Sequence, residues 1–328
     1  MATAEGVYGG NDFNLKKYTF PTQQIPRLHY RDPEAERLIE SGQPVVLTDS
    51  DLVGSAYHWD LAYLCTHLGS GQYTVYSSEN KNFKYYDEKK LPQNKDFTPP
   101  TSHSDMTFQE FASKLKKTNS SEWIYLQQPL NDSVGKRVVM DFTNFNWCWA
   151  NEQQKKNRWG PLTSNLLLVG MEGVVTPAHY DEQENLFAQI QGHKRFLLFD
   201  PSQFECLYPY PIYHPHDRQS QVDFDNPDLE KFPLFSKLKG YEAIVGPRDV
   251  LYLPMYWWHQ VESVPGHGET ISITFWYKAA PTMKVVYPLT AGQKVAIMRN
   301  IEKMIAEALN DNTEMPTFMK TMVQGRYT

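Results

Sequence analysis

Between residues 162 and 277 short apolar runs are separated by turn residues. The runs at 165–169, 186–190, 194–199, 250–254 and 271–277 are each too short for a helix, and each predicts a strand. Asp200-Pro201 closes the third, and Gly246-Pro247-Arg248-Asp249 forms a turn leading into the fourth. Residues 201–240 hold many prolines and aromatics and read as a long insertion. Upstream, 44–48, 72–76 and 123–126 predict strands, and 59–68 predicts a helix. Thr107 and Glu110 make a capping-box pattern that opens a helix over 107–117. Residues 80–104 are polar, with prolines at 92, 99 and 100, and predict a long loop. Residues 1–25 predict a flexible or loosely packed lead-in. Many short strands joined by turns predict a mainly β, double-sheet jelly roll with flanking helices.

After residue 290 the period changes. Ile297, Ile301, Met304, Ile305, Ala308 and Leu309 recur at helical spacing along 293–310, and a second short helix is expected from Thr317, with Phe318, Met319, Met322 and Val323 on one side. Two readings stand level: the helices pack on their own chain, or they dimerise.

With 328 residues the chain makes one large domain or two small ones, and 41% hydrophobic and 14% aromatic content suffices for a core. The net charge of −6 argues against broad nucleic-acid binding, which needs a basic face. Cys65, Cys148 and Cys206 are widely spaced and fit neither a zinc motif nor a disulfide framework, so a reducing compartment is expected. No leader pattern or membrane-length apolar run is visible. The expectation is a cytoplasmic protein, with the nucleus open to it as well.

His-x-Asp occurs three times, at His58/Asp60, His103/Asp105 and His179/Asp181. On a strand, residues i and i+2 share a face and can meet one ion; on a helix they diverge. The first pair opens a helix and the second lies in a polar stretch expected to be loop. The third lies between two strand-like apolar runs, where an unpartnered carboxylate is costly to bury. With His259 from a later strand it forms a two-histidine, one-carboxylate set. Such a set suits catalytic zinc, but the short pair plus a distant histidine favours non-haem Fe(II), with positions open for substrate and O₂. Taken alone, His259 beside Trp257 and Trp258 reads as a core histidine. A reductant such as 2-oxoglutarate needs a cation for its far carboxylate. Lys194, at the start of the strand after the metal strand, can supply it, and Tyr125 and Thr176 can add hydroxyls.

Met171-Glu172-Gly173, Thr176-Pro177-Ala178-His179-Tyr180-Asp181-Glu182-Gln183 and Phe204-Glu205-Cys206-Leu207-Tyr208-Pro209-Tyr210-Pro211 resemble the JmjC-type Fe(II)/2-oxoglutarate-dependent asparaginyl hydroxylases. So do Asp217-Arg218-Gln219-Ser220-Gln221-Val222-Asp223-Phe224, Pro254-Met255-Tyr256-Trp257-Trp258-His259 and Lys294-Val295-Ala296-Ile297-Met298-Arg299-Asn300. The likeness runs from near residue 40 to the C-terminus and is densest after 160.

The resemblance implies a JmjC-type double-stranded β-helix over 26–290 and C-terminal dimerisation helices over 291–328. It implies Fe(II) at His179, Asp181 and His259, with O₂ and 2-oxoglutarate as co-substrates. Lys194, Tyr125 and Thr176 would hold 2-oxoglutarate, with Asn185 near the metal end. Gln219 and Arg218 match residues that position a substrate asparagine, and Gln127 and Trp276 match others lining its site. Tyr85 and Asp87 fall in a Tyr-Tyr-Asp-Glu-Lys-Lys run that borders the target peptide. The implied substrates are the transactivation domain of the hypoxia-inducible factor α subunit and ankyrin-repeat proteins, hydroxylated on the asparagine β-carbon. Two departures stand out. Thr274 occupies a position usually asparagine beside the co-substrate, and His193 replaces a tyrosine, with its side chain expected to point away from Lys194. A JmjC lysine demethylase and a non-catalytic cupin-like binding module are the alternative functions.

Overall fold

The computed structural model describes residues 13, 15–116, 122–131, 134–280, 285 and 287–326. Its strands, in chain order, are β1 (Thr22–Gln24), β2 (Arg27–His29), β3 (Val45–Thr48), β4 (Tyr73–Ser78), β5 (Ser102–Met106), β6 (Trp123–Pro129) and β7 (Leu162–Gly170). Then come β8 (Val175–Tyr180), β9 (Gln183–Gln191), β10 (Lys194–Phe199), β11 (Gly240–Val245), β12 (Val250–Leu253), β13 (Trp258–Ser263) and β14 (Thr270–Lys278). The helices are α1 (Pro33–Glu40), α2 (Leu61–His67), α3 (Phe108–Leu115), α4 (Lys136–Thr143), α5 (Trp147–Lys156), α6 (Ala291–Leu309) and α7 (Met315–Val323).

Two sheets face each other, ordered β1-β11-β10-β13-β8 and β2-β3-β12-β9-β14-β7-β6-β4-β5. Strand alternation sorts the side chains into three layers. Phe196 and Leu198 of β10 point between the sheets, with Phe187 of β9 and Leu168 of β7. Their neighbours Leu197 and Phe199 point outward into an aromatic cluster with Phe20, Phe224 and Phe235. On the other side, Leu167, Val169, Leu186, Ala188, Ile273 and Phe275 face away from the interior and pack on residues of the α1–α5 region, such as Leu64, Phe108 and Trp149. The jelly roll is therefore capped on one side by helices and on the other by the 201–240 insertion.

Local signals account for several boundaries. Thr107 and Glu110 make the reciprocal capping box that starts α3. Asp60 caps α2 through the Tyr63 amide, so the helix begins at Leu61. Asp60 is thus unavailable to His58, whose Nε2 lies 3.5 Å from Asp141 instead.

Two expectations require correction. The lead-in is packed from residue 15 onward: β1 pairs in parallel with β11, and Phe20 and Ile25 are buried. Aromatic burial and ladder hydrogen bonds hold this stretch despite Pro21; residues 1–12 and 14, with Gly9 and Gly10, lie outside the described residues. The 80–104 loop contains a 3₁₀ helix, Glu88–Gln93, and ends in β5, an edge strand that puts His103 opposite Tyr76 and Asp105 opposite Thr74. Charged and polar side chains on an exposed edge obscure the alternation that marks a strand. His103 and Asp105 share a face, but Asp105 accepts from Thr74 Oγ1 and His103 pairs with Glu88.

Candidate active site

β8 and β13 lie antiparallel with His179 opposite His259. Farther along, Val261 pairs with Thr176, so Pro177 and Ala178 of β8 face only Gln260. This bulge breaks the strict alternation. It brings Thr176 to the same inward side as His179, while Ala178 and Tyr180 remain in the outer cluster. Asp181 follows directly at the end of β8. One atom each from His179, Asp181 and His259 lies within 4.8 Å of the others, the one such group of three among the described residues.

The donor set fits a metal. His179 Nδ1 is 2.9 Å from Pro177 O and His259 Nδ1 is 3.0 Å from Trp257 O. Each Nδ1–H therefore donates to a carbonyl two residues back on its own chain, leaving each Nε2 lone pair for a cation. His259 Nε2 is 3.8 Å from Asp181 Oδ2, and Arg218 Nη1 donates to Asp181 Oδ1 at 3.2 Å. Burial pushes the Asp181 carboxyl up, but the two imidazoles and Arg218 outweigh it and hold the group below its usual range. Burial, with His259 beside it, pushes His179 down to about 4. A neutral imidazole at His179 and an ionised carboxylate at Asp181 are what a divalent ion requires.

A cavity of about 740 Å³ opens beside these three residues. Its lining includes Tyr125, Thr176, Asn185, Lys194 and Thr274 on the inner side and Gln127, Trp276, Arg218, Gln219, Tyr85 and Asp87 toward the mouth. Every residue named in the sequence as a metal, co-substrate or substrate candidate thus lines one space. Strand parity explains the inner group. Lys194 shares its face with Phe196 and Leu198, whereas Arg195 points outward to Glu242 and Glu262. Tyr125, Asn185 and Thr274 likewise alternate with core residues Ile124, Leu126, Leu186, Ile273 and Phe275.

Lys194 is 3% exposed and donates to the Tyr125 hydroxyl at 3.2 Å. No carboxylate pairs with it among the described residues, and burial pushes it down to about 7. A buried ammonium without a counter-ion is costly. Asn185 Oδ1, Thr274 Oγ1 and Trp276 Nε1 are also buried without a hydrogen-bond partner in the same cavity. Unpaired polar atoms around a buried cation suit an anionic, multiply hydrogen-bonded ligand. Gly170 makes room for the arrangement: a Cβ there would lie 2.7 Å from the Tyr125 ring. His193 packs against Phe13 and His267, away from Lys194 as expected.

The far wall is tertiary in origin. β8 is the edge of its sheet, and residues around Gln219 extend it through a bridge between His179 and Gln219. Tyr180 N donates to Arg218 O at 3.1 Å and Ser220 N to Ala178 O at 2.9 Å. Gln219 Nε2 donates to Tyr85 O, which also lies 2.6 Å from His216 Nδ1, and the Tyr85 ring is left exposed at the mouth. The sequence reading missed Lys84, which lines the cavity, donates to Tyr210 and to Ser220 O, and is pushed down to about 8 by burial. No local pattern marks it. It also missed Phe187, which parity with Asn185 and Gln189 could have found.

A family model described as Cupin-like domain matches residues 31–283. The chain is 29% identical to "Lysine-specific demethylase 8" of Danio rerio over 266 residues, covering 78% of this chain and 59% of that protein. It is 30% identical to "Lysine-specific demethylase JMJ30" of Arabidopsis thaliana over 245 residues, 72% of this chain and 50% of that protein. It is 36% identical to "Jumonji C domain-containing protein 5" of Drosophila melanogaster over 115 residues, 34% and 26% of the two chains. The matched part of the chain thus spans 59% and 50% of the length of the first two. With a jelly roll that presents two histidines and a carboxylate inside its sheets, the chain belongs to the cupin-like domain family.

Proposed function

We propose that this protein is an Fe(II)- and 2-oxoglutarate-dependent protein hydroxylase that acts on asparagine side chains. The observation that carries the reading is Lys194, a buried cation without a carboxylate partner, in the cavity that also holds His179, Asp181 and His259. His179, Asp181 and His259 would hold the iron. Bound Fe(II) with 2-oxoglutarate would supply an oxidant derived from O₂ that is strong enough for an unactivated C–H bond.

The chain's own part is placement. Lys194 and Tyr125 would take the far carboxylate of 2-oxoglutarate by charge-assisted hydrogen bonds. Thr176, Asn185 and Thr274 line the path between that end and the metal. Arg218 keeps Asp181 oriented through its bond to Oδ1. Gln219 offers a carboxamide beside the histidine pair and donates to Tyr85 O. An asparagine side chain carries the matching donor and acceptor, so it can join this pair and present its β-carbon toward the metal. Gln127 and Trp276 would line its approach, with Tyr85 and Asp87 at the peptide's edge. Together with the sequence resemblance to the asparaginyl hydroxylases, this favours transactivation-domain and ankyrin-repeat asparagines as targets.

The names of two relatives, "Lysine-specific demethylase 8" and "Lysine-specific demethylase JMJ30", favour a second reading, lysine demethylation. It would use the same metal and co-substrate but admit a methylammonium past Tyr85 and Trp276. Mass spectrometry separates the two. Candidate ankyrin, transactivation-domain and methyl-lysine peptides are incubated with the protein, Fe(II), 2-oxoglutarate and O₂. Gain of one oxygen on asparagine supports hydroxylation, loss of methyl groups supports demethylation, and failure to consume 2-oxoglutarate with any peptide removes both. We further propose a second copy of this chain as partner of α6 and α7. Ile297, Met298, Ile301, Met304 and Phe318 are exposed there, on a surface that suits self-association.

A further inference from the structure

We propose that Arg299 of α6 is a positioning residue that fixes the segments carrying Asp181, Arg218 and Gln219, so that peptide engagement depends on the seating of the C-terminal helix. This rests on the functional reading above.

Val295 and Arg299 are the buried residues of α6. Val295 joins the outer aromatic cluster, but Arg299 reaches polar groups. Its Nε donates to Glu182 Oε1 at 2.9 Å and its Nη1 to the Tyr180 hydroxyl at 2.9 Å. Nη1 and Nη2 also grip Asp217 at 2.8 and 3.1 Å, one oxygen each. None of these partners is placed at random. Tyr180 and Glu182 flank Asp181, and Asp217 precedes Arg218 and Gln219. One guanidinium therefore ties both sides of the metal carboxylate to the segment that forms the far wall.

That segment needs holding. Arg218 has φ +68°, a left-handed conformation that a side chain other than glycine adopts only when its surroundings fix it. Its carbonyl receives the Tyr180 amide and its guanidinium reaches Tyr180 O and Asp181. Asp217 passes the connection on: its Oδ2 also accepts from Lys90 at 3.0 Å. Lys90 lies in the 3₁₀ helix capped by Asp87, at the peptide's edge. The connection runs from the helix bearing exposed Ile297, Met298, Ile301 and Met304 to the metal carboxylate and the mouth of the cavity. A forked, planar cation is required, because a lysine can offer charge but not the paired grip on Asp217 together with Tyr180 and Glu182.

The test uses the full chain carrying Arg299→Lys, Arg299→Gln and, as a shape-preserving break from the other side, Asp217→Asn. Steady-state assays give KM for peptide, KM for 2-oxoglutarate and the ratio of hydroxylated peptide to succinate. Hydrogen–deuterium exchange follows the Tyr180 and Ser220 amides against those of β10. The expected result is a peptide KM raised about tenfold or more, a 2-oxoglutarate KM changed by less than about twofold, and a lower product-to-succinate ratio. The Tyr180 and Ser220 amides exchange faster while β10 is unchanged. Wild-type peptide KM and exchange in the variants would overturn the proposal. So would a uniform loss in which 2-oxoglutarate KM and β10 exchange shift as much. If the unmodified protein consumes no 2-oxoglutarate, the functional reading has failed, and exchange at Tyr180 and Ser220 alone decides the role of Arg299. Should the Arg299 variants not fold, Asp217→Asn decides by the same measurements.

Discussion

The ammonium of Lys194 lies 3.2 Å from the hydroxyl of Tyr125, with both side chains buried between the sheets and no carboxylate paired with the lysine among the described residues. The two residues come from opposite sheets, β10 and β6. Their meeting is what makes the inner end of the cavity suited to an anion.

Removing the charge tests this directly. A charge-assisted hydrogen bond contributes about 1.5–3 kcal/mol, so Lys194→Ala is expected to raise the KM for 2-oxoglutarate roughly ten- to a hundredfold. Tyr125→Phe should raise it less, by about two- to tenfold. An unchanged 2-oxoglutarate requirement in Lys194→Ala removes this residue from the co-substrate site.

The same lysine sets a pH dependence. Burial pushes it down to about 7, and a dianion binds its protonated form. Affinity for 2-oxoglutarate, measured by calorimetry with Mn(II) in place of iron, should be full below that pH and fall by about tenfold per unit as pH rises through it. For folding the slope has the sign found for a carboxylate gaining a partner, and the opposite of a lysine gaining one, because the pKa is lowered on folding. The unfolded lysine keeps its proton to about 10.4, so between about 7 and 10 the unfolded chain binds more protons and stability rises with pH. Lys84, pushed down to about 8 by burial, adds to the same slope. Denaturant titrations of Lys194→Met should show a shallower rise over this window.

Thr274 separates binding from stability. Its Oγ1 is buried without a partner, so the hydroxyl carries a desolvation penalty in the protein alone. Thr274→Val keeps the shape and is expected to leave Tm unchanged or slightly raised. If the hydroxyl meets 2-oxoglutarate, the co-substrate KM rises by about two- to tenfold. A rise in Tm with no change in KM would place the hydroxyl outside the site.

Asp181→Ala removes the only carboxylate of the metal set. Peptide-coupled succinate production is expected to vanish and Mn(II) binding to weaken at least tenfold, about 1.4 kcal/mol. Normal coupled turnover by this variant would eliminate the triad.

Gly170→Ala probes the wall behind Tyr125. Its Cβ would lie 2.7 Å from the ring, so the tyrosine must shift away from its place near Lys194. Overpacking of this kind typically costs about 1–3 kcal/mol of stability, and the 2-oxoglutarate KM should rise in parallel. Unfolding curves and KM on one preparation check both.

Much of this was legible beforehand because strand parity is local. An alternating run states which residues share a face, so Lys194 could be set with Phe196 and apart from Arg195 before any contact was seen. The spacing of His179 and Asp181 between apolar runs carried the same information. Edge and insertion segments were less readable. β5 was hidden because both its faces are polar, and β1 because its burial depends on the distant β11 and on Phe199, Phe224 and Phe235.

By itself the sequence determined the apolar strands β3, β4, β6, β7, β9, β10, β12 and β14 and the residues able to bind a cation or an anion, since each follows from side-chain chemistry and local pattern. The tertiary structure decided which of those residues meet. The bulge between β8 and β13 turned Thr176 toward His179, the 217–221 segment closed on the free edge of β8, and Arg299 joined that closure to α6. These contacts join residues far apart in the chain, and their formation depends on long-range packing that no local pattern encodes.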